Sequence, residues 1–302
     1  MARAWGRLLT AMVTPFDGGG AVDEGRAGEL ALALLDSGSD GLVLTGTTGE
    51  CPTLTVDEQV GVWRAVRAAV GAEALLVAGA STNSTRESLE MVEAGAGAGV
   101  DALMLTVPYY NKPSQAGLVR HFEVLAEATP LPCILYNVPS RTAVNMTAET
   151  TVRLAAVPNI VGVKEASGDL QQMAEIVERT SGTEFMVWSG NDADTLPLLS
   201  VGGYGVVSVA SHLVGRQIAS MIGAALSGRG AEAAAVHRRL APLVDALFIE
   251  SNPAPVKFAL AEVGFGVGGL RLPLVAPSEA SQDRIRAELA RHAIDLPTFA
   301  GR

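Results

Sequence analysis

Lys164 closes an apolar run in the segment NIVGVKEASGD, residues 159–169, and an acidic, small-residue turn follows it at once. The residues before it, Ile160, Val161, Gly162 and Val163, lack polar alternation, as does a strand buried on both faces in a parallel sheet. A lysine there admits two readings. Either the strand ends at Val163 and Lys164 is a solvated turn residue paired with Glu165, or Lys164 is a desolvated amine whose lowered pKa lets it attack a carbonyl and form a Schiff base. Schiff-base chemistry needs a proton shuttle to remove the carbinolamine water, and the phenol of Tyr136 in YNVPSRT suits that task. A buried tyrosine with a backbone partner is the plain alternative. Thr47 and Thr48, between Gly46 and Gly49, offer hydroxyls and backbone N–H groups on a loop before a helix expected to begin near Thr55, which suits a small anion. A tight turn with polar filler has the same sequence signature. Arg141 follows a proline turn, where it can clamp a carboxylate through two parallel donors or form a surface salt bridge.

Such residues need a scaffold that brings them to one place. Short apolar runs recur at 8–13, 41–44, 75–79, 102–107, 133–136, 160–163, 185–188 and 205–209, with stretches of helical period such as VDEQVGVWRAVRAAVG and QQMAEIVERTSG between them. Eight strand–helix units over about 220 residues predict an α/β fold, a closed (β/α)8 TIM barrel rather than an open doubly wound sheet. The open sheet would call for a GxGxxG turn after an early strand, and the sequence has none. The beat stops near residue 226. We read residues 1–226 as the barrel and 227–302 as a C-terminal helical extension packed on it, broken by glycines at 264–269 and by Pro273 and Pro277. A barrel assembles its active site at the C-terminal strand ends, and strands two to eight end in TGTTGE, GAST, TVPYYNKPSQ, YNVPSRT, VKEAS, WSGND and SVAS. Two tyrosines, an arginine and a lysine on one rim favour the functional reading of Lys164.

Composition narrows the partners. A net charge of −10 with no basic run argues against nucleic acid and anionic membrane. Two cysteines, Cys51 and Cys133, make no disulfide framework and suggest a reducing compartment. The first 20 residues lack the apolar centre and cleavage site of a signal peptide, and no window approaches a membrane span, so the expected location is cytoplasmic. His121, His212, His237 and His292 are scattered without ligand spacing, so no metal is expected.

GTTGE at 46–50, PYYNKPSQ at 108–115, YNVPSRT at 136–142, GVKEASGD at 162–169 and SGND at 189–192 together resemble the dihydrodipicolinate synthase / N-acetylneuraminate lyase family of pyruvate-dependent class I aldolases. The resemblance spans essentially the whole chain in the right order, and five motifs in order are far more specific than any one. It implies that Lys164 forms an imine with pyruvate, with no other cofactor, and that its enamine attacks an aldehyde. Tyr136 is then the proton shuttle, relayed through Thr47 to Tyr110, which in this family reaches into a neighbouring subunit. Thr47 and Thr48 hold the pyruvate carboxylate, and backbone groups near Gly190 and Val207 line the pocket. The family's usual assembly, a homotetramer built as a dimer of dimers, is the expected oligomer, with Tyr109 at an interface. Arg141 in PSRT matches the residue with which the synthase branch binds L-aspartate-4-semialdehyde, and implies a place in diaminopimelate and lysine biosynthesis.

Two departures accompany the resemblance. Asn83, Glu87 and Tyr109 match the interface site through which lysine inhibits many relatives, but Val56 and Gln59 stand where lysine-sensitive relatives often carry a histidine or another polar group, so weak or absent feedback is expected. Asn191 replaces the family's usual aspartate. The competing readings are another pyruvate lyase acting on a sugar acid or hydroxy-oxo acid, which Arg141 disfavours, and a catalytically silent binding barrel, which would be expected to have lost Lys164, Tyr136 or Tyr110.

Overall fold

A computed structural model describes residues 5–297; the first four residues of the segment read above for a leader, and the last five of the chain, lie outside that span. Its eight strands are β1 (Leu8–Ala11), β2 (Gly41–Leu44), β3 (Leu75–Gly79), β4 (Ala102–Thr106), β5 (Cys133–Asn137), β6 (Ile160–Glu165), β7 (Met186–Ser189) and β8 (Gly205–Ser208). They form a closed barrel in sequence order, and every strand pairing recorded within it is parallel. The helices are α1 (Glu24–Asp36), α2 (Val56–Val70), α3 (Thr85–Gly97), α4 (Gln115–Glu127), α5 (Pro139–Thr142), α6 (Ala148–Leu154), α7 (Leu170–Arg179), α8 (Thr195–Ser200), α9 (Ser211–Leu226), α10 (Gly230–Leu247), α11 (Ala254–Glu262) and α12 (Glu279–Leu289). The (β/α)8 barrel expected from the apolar beat is thus present. The beat is least regular after β5, where two short helices replace one, and after β7, where α8 spans only six residues.

The strands are buried along nearly their whole length because each is covered on both faces, and their apolar residues need no polar alternation. The helices start where short polar side chains can accept a bond from the first turn: Asp23, Thr55, Ser84, Ser114, Thr147, Asp169 and Ser278 all cap in this way. At α2 the cap is a full box, with Thr55 Oγ1 accepting from the Glu58 N–H and the Glu58 carboxylate accepting from the Thr55 N–H. The helix begins where the sequence placed it, near Thr55, and a short 3₁₀ turn, Cys51–Thr53, separates it from the Thr47–Thr48 turn.

The chain divides into two compact units, Met1–Leu75 with Ser208–Arg302, and Leu76–Val207. In the first, α1 packs on α2, α10 on α9, and α12 on both α10 and α11. Gly28 permits the close approach of α1 to α2, since a Cβ there would come within 2.9 Å of Ala69 Cβ. A chain of buried hydroxyls, Thr10 to Ser39 at 2.6 Å and to Ser211 at 2.7 Å, ties three distant segments. In the second unit β4, β5, β6 and β7 stack in register with α3, α4, α6 and α7 around them. Cys51 and Cys133 form no disulfide, and burial pushes the Cys133 thiol up to about 12, so it is inert. Among the described residues no helix is long and apolar enough to cross a membrane.

Candidate active site

Lys164 is not a turn residue. β6 continues through Glu165, and Lys164 pairs in register with Tyr136 on β5 and Trp188 on β7. Successive strand residues point to opposite faces, so the two readings of Lys164 separate on what its neighbour does. Glu165, also fully buried, turns away from it and bonds to the ends of neighbouring segments. Its carboxylate accepts from Asn137 Nδ2 at 3.0 Å to each oxygen, from the Ser167 N–H at 2.7 Å and from Gln172 Nε2 at 3.2 Å. Burial raises the Glu165 pKa, and these bonds oppose the rise. The Lys164–Glu165 pairing weighed from the sequence is therefore absent for a geometric reason, the two-residue period of the strand.

On the opposite face Lys164 is only 5% exposed and its Nζ lies 4.1 Å from the centre of the Tyr136 ring. Burial, helped by the positive charge of Arg141 and opposed by Asp192, lowers its pKa to about 7. At neutral pH about half of such amines are unprotonated, against about one in three thousand for a lysine at its ordinary value. Tyr136 is itself 5% exposed. The structure thus brings Lys164 and Tyr136 together and places Arg141, on α5, close enough to act on the amine electrostatically.

Gly190 follows β7 directly and donates its N–H to the Glu165 carbonyl at 2.7 Å. A Cβ at this position would come within 2.5 Å of Ala166 Cβ and 3.2 Å of Lys164 Cε. Gly190→Ala is therefore expected to destabilise the fold by about 1–3 kcal/mol and to slow attack by Lys164, checked by urea unfolding and by the rate of borohydride-trapped adduct formation. Val207, the other expected lining residue, is 1% exposed within β8. Asp192, for which the sequence suggested no role, is 6% exposed and supplies a favourable charge to the Lys164 ammonium. Neighbouring Asn191 donates from Nδ2 to Asp194 at 2.8 Å, which gives this departure from the family pattern a local partner.

Tyr110 stands apart from the buried pair: it is 88% exposed and holds a positive φ of 72°. Adjacent Tyr109 is 37% exposed, and the Asn111 amide donates to the Asn83 carbonyl at 2.7 Å, which joins this segment to the start of α3. Glu87 is exposed in the first turn of α3, its carboxylate accepting a long 3.4 Å bond from Thr82 Oγ1.

Thr47 and Thr48 belong to the other unit, on a turn that is anchored residue by residue. Trp63 Nε1 donates to Thr45 Oγ1 at 2.7 Å, and Thr14 Oγ1 donates to the Gly49 carbonyl at 2.7 Å. Asn252 Nδ2 donates to Thr48 Oγ1 at 2.8 Å. Glu50, in a left-handed conformation with φ 57°, ends the turn; its carboxylate meets Lys257 Nζ at 2.6 Å and accepts from the Arg271 N–H at 3.0 Å. Thr48 is buried and Thr47 half-buried. No group of His, Cys, Asp and Glu suited to a metal ion occurs among the described residues.

The sequence profile of the dihydrodipicolinate synthetase family matches residues 4–292 of this chain. The chain belongs to that family. Among its relatives, a 4-hydroxy-tetrahydrodipicolinate synthase of Dehalococcoides mccartyi is 56% identical over 292 residues, covering 97% of this chain and 98% of its own. The dihydrodipicolinate synthase of Cyanidioschyzon merolae, crystallised with lysine bound, is 47% identical and superposes with a TM-score of 0.93 over 95% of this chain and 97% of its own. That of Acinetobacter baumannii, chloride-inhibited and complexed with pyruvate, is 37% identical with a TM-score of 0.92 over 95% of this chain and 98% of its own. Membership of the dihydrodipicolinate synthetase family fits the resemblance drawn from the five motifs.

Sequence reasoning gave no role to Asn137, Asp192, Asn252 or Lys257, and weighed Glu165 only as a partner for Lys164. Glu165 was within reach, since its alternation with Lys164 in a continuing strand places it on the outer face. Asn252 and Lys257 lie about 200 residues from their partners, beyond any local pattern.

Proposed function

We propose that this chain is a 4-hydroxy-tetrahydrodipicolinate synthase that condenses pyruvate with L-aspartate-4-semialdehyde through a Schiff base on Lys164. The observation that carries the reading is a lysine buried in register with Tyr136 whose pKa is lowered to about 7 by burial, so that a neutral nucleophile is present at physiological pH. Its Nζ attacks C2 of pyruvate to give a carbinolamine, and Tyr136 gives a proton to the departing hydroxyl, which leaves as water. Loss of a proton from C3 yields the enamine, whose C3 attacks the aldehyde carbon of the semialdehyde; the resulting alkoxide takes up a proton. The amine of the second substrate then displaces Lys164 by transimination and closes the ring.

In this reading Thr47 and Thr48 receive the pyruvate carboxylate, and Arg141 binds the carboxylate of the semialdehyde through parallel donors. Gly190 and Val207 contribute pocket walls. No cofactor takes part besides the covalent imine. The exposed Tyr110 serves a neighbouring copy, so the catalytic unit is at least a dimer and the full assembly a homotetramer, in the cytoplasm. Sedimentation at catalytic concentration tests the assembly.

The test of function is pyruvate consumption with aspartate semialdehyde and, in parallel, with N-acetylmannosamine, each followed by borohydride reduction and mass spectrometry. Consumption with the semialdehyde alone and an adduct on Lys164 is the expected result. An adduct without consumption of either aldehyde refutes the assigned substrate, and no adduct refutes the Schiff base.

Feedback by lysine is expected to be weak. Val56 is 40% exposed and apolar, and Gln59 is only 4% exposed, so its amide is withdrawn from the surface that an amino acid would meet. A lysine titration should reach half-inhibition only above millimolar concentration; sensitivity below that refutes the expectation.

A further inference from the structure

The turn that carries Thr47 and Thr48 is held from a segment far along the chain, and the kind of bond matters. Asn252 lies just before α11, is 6% exposed, and donates its amide N–H to the hydroxyl of Thr48, itself 4% exposed. A hydroxyl has one proton and two acceptor positions, whereas an amide nitrogen can only donate. Once Thr48 Oγ1 accepts from Asn252, its own proton is released for another acceptor. The same segment reaches the turn a second time: Lys257 on α11 meets Glu50 at 2.6 Å and donates to the Gly269 carbonyl at 2.8 Å.

We infer that Asn252 is a positioning residue for the substrate carboxylate: it sets Thr48 as a hydrogen-bond donor, so that the segment leading into α11 is a working part of the pyruvate site. This rests on the assignment of Thr48 to the pyruvate carboxylate above. The chemistry also explains why an amide suits the position better than a carboxylate. An aspartate there would accept the Thr48 proton, reversing the bond, and would add a negative charge beside the site of an anion.

The test compares wild type with Asn252→Ala, Asn252→Asp, Thr48→Val and the Thr48→Val/Asn252→Ala pair, reading KM for each substrate, kcat and thermal unfolding. Asn252→Ala should raise the pyruvate KM by about tenfold, the loss of one bond to a charged group. The semialdehyde KM should stay within about twofold, a span set by coupling between distant groups. Asn252→Asp should raise the pyruvate KM further. In the Thr48→Val background the Asn252→Ala effect on pyruvate should vanish, because no hydroxyl remains to be oriented. If Asn252→Ala does not fold, Asn252→Ser carries the same prediction with a short polar side chain in place. An unchanged pyruvate KM with only a lower melting temperature, or additive effects in the double variant, overturns the inference while an active wild type leaves the parent reading standing. A wild type that neither consumes pyruvate nor forms the Lys164 adduct overturns the parent reading, and this one with it.

Discussion

Lys164→Met should abolish the borohydride-trapped pyruvate adduct and lower kcat by about 10⁴-fold or more, the loss that follows from the covalent role proposed for Lys164, while the protein stays folded. The argument for folding is electrostatic. Lys164 sits in the sheet, 5% exposed, with a pKa lowered from 10.5 to about 7. A group whose folded pKa lies below its unfolded value binds fewer protons in the fold, so its penalty is full below pH 7 and fades as pH rises towards 10.5. At neutral pH that penalty is about 4 kcal/mol, and an apolar side chain of similar length removes it. The methionine variant should therefore melt at a higher temperature than wild type near pH 7, with the gain shrinking as pH rises. Wild-type adduct formation should itself accelerate with pH through about 7, as the amine loses its proton, and level off above. Retained turnover in Lys164→Met would sink the mechanism. A lower melting temperature would sink the account of burial.

Lys257→Met has the opposite consequence. Lys257 and Glu50 are 2% and 0% exposed in their side chains, with the ammonium also 4.1 Å from the centre of the Phe16 ring. Burial lowers the Lys257 pKa, and its bond to Glu50 opposes that. Removing the lysine strands the Glu50 carboxylate in the interior with the Arg271 N–H still bonded to it. The expected loss is about 3–5 kcal/mol, the range for breaking one side of a buried pair. Glu50→Gln combined with Lys257→Met removes both charges and should recover much of that loss, since an intact buried pair is itself worth little against neutral groups. Urea unfolding of the three proteins gives the comparison. A double variant as unstable as Lys257→Met alone would show that packing, rather than the stranded charge, sets the cost. The turn at 46–50 hangs from Glu50, so the single variant should also weaken pyruvate binding.

The comparison of these two lysines shows what a linear chain can and cannot convey. Both follow a valine in an apolar run, GVKEAS and APVKFA, and only the first was singled out. The eight-strand beat, the helix caps at Thr55 and Asp169, and the ordered motifs from GTTGE to SGND are local or nearly so, and they determine a barrel of this family with Lys164 and Tyr136 at adjacent strand ends. Backbone hydrogen bonding and the two-residue period of a strand then carry the argument a short way further. Tertiary structure alone decided that β6 runs on past Lys164, that Glu165 turns outward to Asn137, that Asp192 and Arg141 bias the amine in opposite directions, and that Asn252 and Lys257 return to the turn after β2. Desolvation depends on what surrounds a group in space, and a pKa or an ion pair made across 200 residues is a property of that surrounding rather than of any stretch of sequence.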